Sequence, residues 1–407
     1  MVLEKLKLIE RKNNPMSAIQ QDKYDDEEIL PFLRNILFAN KQRGQIITQQ
    51  PAMPGVYFDA QNIDLNYDVA ILAHSTGKDS WAALKVLLDM GYPKEKIEIW
   101  HHLVDGNESG ASFMDWAFVD DYAIKIGQAL GIPVYFSWLK HGFKGEMLKA
   151  NSISHPLIAQ TPYGLVESTR KTHKLDNNPE SETFGDKVII QNTRQKFPQQ
   201  AASLASRWCS SALKIDVARF SVTSQDRFIG KRVLFITGER REESSNRARY
   251  NQLEPHATDT MRKSSNPTKP RHVDAWRPIL NHSEGQVWEL LEDWRINPPV
   301  PYKLGWGRSS CQTCVFNDDA IWATIGQHWP ERLAEFAHYE KEFKTSIARN
   351  GKTVDVRAAN AKAFEITDFD ALEQSMQKEY TLPIFLPDGV KWSRPAGAFN
   401  ALAAGAN

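Results

Sequence analysis

Apolar positions along the chain follow two alternating periods. Val69 to Ala73 is a short, partly β-branched apolar run, the pattern of a strand buried on both faces. Trp81, Leu84, Leu87 and Leu88 then recur at helical spacing, with Gly91 where a C-cap glycine belongs. The alternation continues: 97–104 predicts a second strand, 113–130 a helix closed by Gly131, 133–137 a third strand and 232–238 another. Repeated βα units of this kind predict an α/β fold with a doubly wound, mostly parallel sheet. Ligands bind such sheets at the carboxyl ends of the strands.

Breaks in the pattern divide the chain. Residues 1–66 read as an N-terminal appendage, with an amphipathic helix over 25–39 and a linker at 49–55. Residues 67–318 hold the α/β domain, interrupted by a polar, turn-rich insert at 151–200 that reads as a loop or a lid over substrate. Residues 264–270 predict a second loop. Residues 319–407 form a helical C-terminal region, amphipathic over 329–343, with a loosely packed tail from Pro383.

Composition narrows the class. At 407 residues and 41% hydrophobic the chain has the make-up of a soluble α/β domain with additions, and no apolar run is long enough to span a bilayer. Residues 1–12 carry charges inside their only apolar pattern, so a cytoplasmic protein without membrane contact is the expectation. Lysine plus arginine equals aspartate plus glutamate, 50 against 50, but 227–271 holds eleven basic and five acidic residues. That local net of +6 suits phosphates of a nucleotide or nucleic acid, or else a solvated arginine-rich surface. Only Cys209, Cys311 and Cys314 occur, an odd count that speaks against a disulfide framework and for a metal, a cluster or redox chemistry.

The candidate chemistry centres on Ser75-Thr-Gly-Lys-Asp-Ser80, a small polar turn between a strand and a helix. Such a turn directs backbone N–H groups, a helix N-terminus and a lysine toward one point, which suits phosphate. It is not the ATPase P-loop, because an aspartate follows the lysine. Asp105 ends the second strand, where a carboxylate can order a ribose, an adenine or magnesium, or simply make a turn.

Ser-x-Gly-Lys-Asp-Ser resembles the pyrophosphate loop of the ATP pyrophosphatase and PAPS reductase superfamily. Three more segments resemble that family in the same order: Arg207-Trp-Cys-Ser-Ser-Ala-Leu-Lys214, Gly238-Glu-Arg-Arg-Glu-Glu-Ser-Ser-Asn-Arg247, and the run from Trp276-Arg-Pro-Ile279 through Tyr302 to Cys311-Gln-Thr-Cys314. The resemblance covers roughly residues 68 to 316. It implies an adenine nucleotide alpha-hydrolase-like fold, with Ser75, Thr76, Gly77, Lys78, Asp79 and Ser80 gripping pyrophosphate. It also implies ATP and Mg2+ as ligands, with Asp105, Lys214, Gly238, Arg240, Ser244 and Arg247 around the nucleotide and Glu243 holding an arginine in place. Lys78, Asp79, Cys209, Arg240 and Glu243 are the residues expected to act in catalysis.

The cysteines set the subclass. No cysteine follows Cys314, unlike thioredoxin-dependent PAPS reductases, and Ser210 stands where assimilatory APS reductases carry the second cysteine of a pair. Cys209, Cys311 and Cys314 remain compatible with a [4Fe–4S] cluster having one open iron, with Zn2+ and a fourth ligand, or with bare thiols. The reading that follows is an ATP pyrophosphatase-type sulfurtransferase. Its acceptor is expected to be nucleic acid, as in DNA phosphorothioation or tRNA thiolation, and its sulfur donor a cysteine desulfurase. The alternatives are an APS or PAPS reductase releasing sulfite, and a non-catalytic nucleotide-binding subunit of a modification or defence complex.

Overall fold

In a computed structural model of the chain, the described residues are 63–400 apart from Ala111, Arg170, Ala202 and Ser310. The helix expected at 25–39, the linker at 49–55 and residues 401–407 lie outside them. Strands β1 (Val69–Ala73), β2 (Ile97–His102), β3 (Val134–Leu139), β4 (Leu157–Thr161) and β5 (Gly164–Glu167) come first in the chain. A two-stranded ribbon of β6 (His173–Leu175) and β7 (Lys187–Ile189) follows, then β8 (Arg232–Ile236), β9 (Leu253–Pro255) and β10 (His272–Trp276). All but the ribbon join one sheet in the order β5-β4-β3-β2-β1-β8-β10-β9. Its five central strands, β3-β2-β1-β8-β10, are parallel, and the flanking β4, β5 and β9 pair antiparallel. The chain starts in the middle at β1, builds outward through β2, β3 and β4 to β5, then returns to β8 on the other side of β1. The crevice at that reversal, between the carboxyl ends of β1 and β8, is where sheets of this kind take ligands.

Alternate residues of the central strands enter separate cores, as the period of two requires. Ala70, Leu72, Ile97, Ile99, Leu234 and Ile236 join one cluster with Trp81, Leu84 and Leu87 of α1 (Lys78–Asp89) and Tyr122 and Ile126 of α2 (Val119–Leu130). Ile71, Trp100, Val233, Phe235 and Val273 join another with Ala218 and Val222 of α3 (Asp216–Thr223). Helix α4 (Glu284–Asp293), opened by a Ser283–Gln286 capping box, packs on α1. Helices α5 (Asp319–His328), α6 (Pro330–Phe343), α7 (Val354–Ala359) and α8 (Phe369–Met376) follow, and Trp322, Phe336, Val354 and Ala371 extend the first cluster.

Three expectations are corrected. Residues 113–118 are not helical, because the Asp105 carboxylate accepts the N–H groups of Phe113, Met114 and Asp115 at 2.9–3.0 Å and ties them into a turn. Only 119–130 winds, ending at Gly131 with φ +66°. The insert at 151–200 is not all loop, since β4 and β5 extend the main sheet through pairs such as Ala159 with Val166. The tail beyond Pro383 is anchored: Trp392 donates its indole N–H to the Ile296 carbonyl at 2.9 Å, and Phe385 lies edge-on to Trp81 and Trp294.

Candidate functional site

At the carboxyl end of β1 the chain turns through His74-Ser75-Thr76-Gly77 into α1. Thr76 has φ +61°, and its N–H donates to His74 Nδ1 at 3.0 Å. Gly77 is the N-cap and offers no side chain, so the first-turn N–H groups of α1 receive no side-chain cap from it. The Lys78 N–H reaches the Tyr302 hydroxyl at 3.3 Å, and the Ser80 hydroxyl donates to the Gly77 carbonyl at 2.8 Å. Ser75 is exposed at the mouth, while Thr76, Gly77, Lys78 and Ser80 are buried.

From β8, Gly238 lies directly over the loop: a Cβ there would fall 2.8 Å from the Asp79 carbonyl carbon and oxygen. Only glycine permits that approach. It carries Arg240, 3% exposed, to Asp79, with Nε 2.7 Å from Oδ1. Lys78, also 3% exposed, sits 3.0 Å from Asp79 Oδ2 and 3.8 Å from Glu284 Oε1. Arg240 also pairs with Glu242, lies 3.6 Å from Glu284 Oε2, and its N–H donates to Glu243 Oε2 at 2.7 Å. Glu243 in turn pairs with Arg247. The Ser244 hydroxyl accepts the Arg247 N–H at 3.2 Å, which makes Ser244 part of this turn's scaffold. Burial opposes the charge on Lys78, but Asp79, Tyr302 and Glu284 outweigh it and hold the ammonium above its ordinary pKa. Burial likewise raises Asp79, and Lys78 and Arg240 more than reverse it, keeping the carboxylate below its ordinary value.

A second group of side chains lies beside this loop. His101, at the end of β2, approaches the His74 carbonyl with Nδ1 at 2.8 Å, so Nδ1 carries the proton and Nε2 is an acceptor. His74 has the opposite tautomer, since its Nδ1 accepts from Thr76. Burial, reinforced by His101, holds His74 down to about 3, so both rings act as neutral spacers between β1 and β2. On the far side lie Lys214, Asp115 and all three thiols. Lys214 is solvent-exposed but works in a dense field: burial opposes its charge, and Cys311, Cys209, Cys314 and Asp115 raise its pKa. Burial and the neighbouring Asp105 push Asp115 up to about 6. The backbone connects the two groups, because Ser309 lies 3.4 Å from where a Gly77 Cβ would be, two residues before Cys311.

The residues expected from sequence thus divide. Lys78, Asp79, Gly238 and Arg240 converge on the turn, while Glu243 holds the Arg240 N–H and Arg247 joins the group through Glu243. Lys214 faces the thiols, and Asp105 spends its oxygens on the 113–115 backbone. Among the described residues no group of three or more His, Cys, Asp or Glu side chains is arranged to hold a metal ion. Glu242, Glu284, His101 and Asp115 were not singled out from sequence, and Tyr302 was named only as a member of the run that ends at Cys314. A Ser-x-x-Gln capping box before Glu284, and His101 and His102 preceding Asp105 at a strand end, were the available signals.

Most cations of 227–271 are engaged. Arg227 holds Glu98, Arg262 holds Asp259 and Asp274 at 2.6 Å, and Lys269 holds Asp226 at 2.7 Å. The +6 is balanced in large part by acids inside and outside the stretch.

Burial pushes the Cys209 thiol up to about 11, with Cys314 adding to it and Lys214 opposing. A group with that pKa is almost wholly protonated at neutral pH. Alkylation of Cys209 by iodoacetamide, followed by peptide mass spectrometry, is expected to accelerate about tenfold per pH unit from pH 7 to 10. A rate already flat between pH 7 and 8 would reveal a resting thiolate and contradict this environment.

No protein-family model matches the chain. A protein of Escherichia phage 186, described as an uncharacterized 37.8 kDa protein in gpa 5'region, is 29% identical over 293 residues, covering 70% of this chain and 78% of the phage protein. That similarity brings no activity or ligand with it. Among the described residues no helix is long and apolar enough to cross a membrane.

Proposed function

We propose that the chain is an ATP-dependent sulfurtransferase of the ATP pyrophosphatase, PAPS reductase-like type, built on a doubly wound nucleotide-binding domain of residues 67–318 with a helical C-terminal region. One observation carries this reading. The N-terminus of α1, Lys78 and Arg240 meet at the crevice between β1 and β8, and Lys214 lies beside them within electrostatic reach of three thiols.

In this reading the triphosphate of ATP lies at the α1 N-terminus, its oxygens taking over Lys78 and Arg240 from their carboxylates. Magnesium arriving with the nucleotide supplies positive charge that the surplus of Asp79, Glu242 and Glu284 requires. An acceptor oxygen attacks the α-phosphorus, the bond to the pyrophosphate oxygen breaks, and Lys78 and Arg240 stabilise the charge growing on that leaving group. A hydrosulfide equivalent then attacks the adenylated atom of the acceptor. The new bond is to sulfur, the bond to the AMP oxygen breaks, and AMP departs with its electron pair. In this reading one of Cys209, Cys311 and Cys314 takes the sulfane sulfur from the desulfurase persulfide by thiol exchange, and the outer sulfur of its persulfide is the attacking hydrosulfide equivalent. A second of the three thiols then attacks the acceptor–S–S–Cys bond, and the thiolated acceptor leaves. The Cys–Cys disulfide that remains is reduced by an external dithiol, with Lys214 compensating the thiolate formed. Asp115, protonated near pH 6 and below, is placed to exchange a proton with the thiol group.

The acceptor class carried from the sequence is nucleic acid. Its support is narrower than the charge count, given how many cations of 227–271 are paired. The test is direct: 35S-cysteine, a cysteine desulfurase, ATP, Mg2+ and a dithiol reductant are supplied with either DNA or tRNA. Label entering one of the two polymers only when ATP is present is the expected result. Label in neither, with sulfite produced from adenylyl sulfate, would sink this reading.

A further inference from the structure

Behind β10, at the amino ends of the parallel strands and so at the opposite edge of the sheet from the α1 N-terminus, residues 259–271 line an open surface pocket of about 400 Å³. Asp259, Thr260, Lys263, Ser264, Pro267, Thr268, Lys269 and Arg271 line it. Thr260 closes the loop on itself: its N–H donates to the Arg271 carbonyl at 3.0 Å, its hydroxyl donates to the Lys269 carbonyl at 2.8 Å and accepts the Arg271 N–H at 2.9 Å.

Arg271 is the residue out of place. It is 6% exposed, and its Nε and Nη1 are buried without a hydrogen-bond partner. The one carboxylate in the lining cannot serve it. Asp259 already accepts from the Arg262 Nε and N–H and from the Val273 N–H, and pairs with Arg262 Nη2 at 2.6 Å. A buried guanidinium without a counter-charge is costly, and native folds rarely tolerate one unless water, an ion or a ligand completes it. Lys263 and Lys269 stand at the rim on flexible stems, their ammonium groups resting on the Ala257 carbonyl at 2.6 Å and on Asp226 at 2.7 Å. Ser264 and Thr268 also line the pocket, and Ser264 Oγ accepts the Asn266 N–H at 3.3 Å.

We propose that this pocket is a phosphate-binding site, separate from the nucleotide crevice and independent of the sulfur-transfer reading. The planar fork of Arg271 grips two oxygens of a phosphate group, and Lys263 and Lys269 turn inward to neutralise the rest. The phosphate can come from free inorganic phosphate or from a phosphodiester of a nucleic-acid strand laid across the rim, and both present the same oxygens.

Inorganic phosphate binding to the full chain, followed by 31P line broadening in chloride buffer of low ionic strength, tests this. Lys78→Ala removes the contribution of the nucleotide crevice and is expected to leave the second site intact. On that background Arg271→Gln is expected to weaken phosphate binding at least about tenfold, as loss of charged hydrogen bonds implies. Lys263→Gln with Lys269→Gln, at exposed positions that do not threaten folding, is expected to weaken it about threefold or more. A short oligonucleotide competing with phosphate in an Arg271-dependent manner assigns the site to a strand, and failure to compete assigns it to the free ion. Phosphate binding unchanged in both variants, or no binding at all once Lys78 is replaced, overturns the proposal. Should Arg271→Gln fail to fold, the double lysine variant decides alone.

Discussion

Replacing Lys78 by alanine is expected to lower AMP formation from ATP by about 10²–10³-fold, the loss typical of removing a preorganised donor aimed at growing charge. The ammonium is buried, fixed 3.0 Å from Asp79, and sits in the first turn of α1 where the helix itself favours anions. Because it is oriented before substrate arrives, little reorganisation accompanies reaction, and that advantage disappears with the side chain. Lys78→Arg is expected to recover only part of the rate, since a planar guanidinium does not fit a site shaped for a point charge. An unchanged rate in Lys78→Ala, with circular dichroism showing an intact fold, would remove Lys78 from the reaction.

Asp79→Asn is expected to be the most destabilising single change in the crevice, by about 3 kcal/mol. The carboxylate lies between Lys78 and Arg240, at 3.0 and 2.7 Å, and the amide would leave two buried cations facing each other. The sign of the pH dependence follows from the same contacts. Lys78 and Arg240 hold the folded-state pKa of Asp79 below its ordinary value. Its contribution is therefore complete above the unfolded pKa, near 4, and is lost as pH falls through the lower folded value. Urea unfolding at pH 7 measures the first effect. Repeating it from pH 5 down to pH 2 should show a shallower acid decline in Asp79→Asn than in the parent chain. Identical midpoints at pH 7 would mean that Glu242 and Glu284 alone satisfy the two cations.

The parts of this molecule legible from sequence are those where local pattern and tertiary context agree. Val69–Ala73 is buried on both faces, and its uninterrupted apolar run says so. Gly131 closes α2 because the left-handed conformation it adopts is the one glycine accepts most readily. The crevice of Lys78, Asp79 and Arg240 was legible because the turn chemistry and the strand order both point to the carboxyl ends of β1 and β8.

Other parts depend on contacts that no local pattern encodes. Asp105 was read as ordering a nucleotide or magnesium or as making a turn, and three N–H groups eight to ten residues downstream give it the turn role and cut short the helix expected at 113–118. β4 and β5 were hidden in a polar insert because edge strands exposed on one side carry little apolar signal. The charge count over 227–271 was correct as arithmetic and incomplete as chemistry, since Glu98, Asp226 and Asp274 lie outside that stretch or join it only in space. Glu284 reaches Lys78 and Arg240 from a helix some two hundred residues along the chain from Lys78, a pairing set entirely by the packing of α4 on α1.

The most direct measurement is chromatography of nucleotides after anaerobic incubation of the full chain with ATP and Mg2+, with and without DNA or tRNA. AMP and pyrophosphate in equal amounts, accelerated by nucleic acid and absent in Lys78→Ala, is the predicted result. ATP left intact under every condition, while adenylyl sulfate is cleaved to sulfite, would contradict the assignment of the crevice to adenylation.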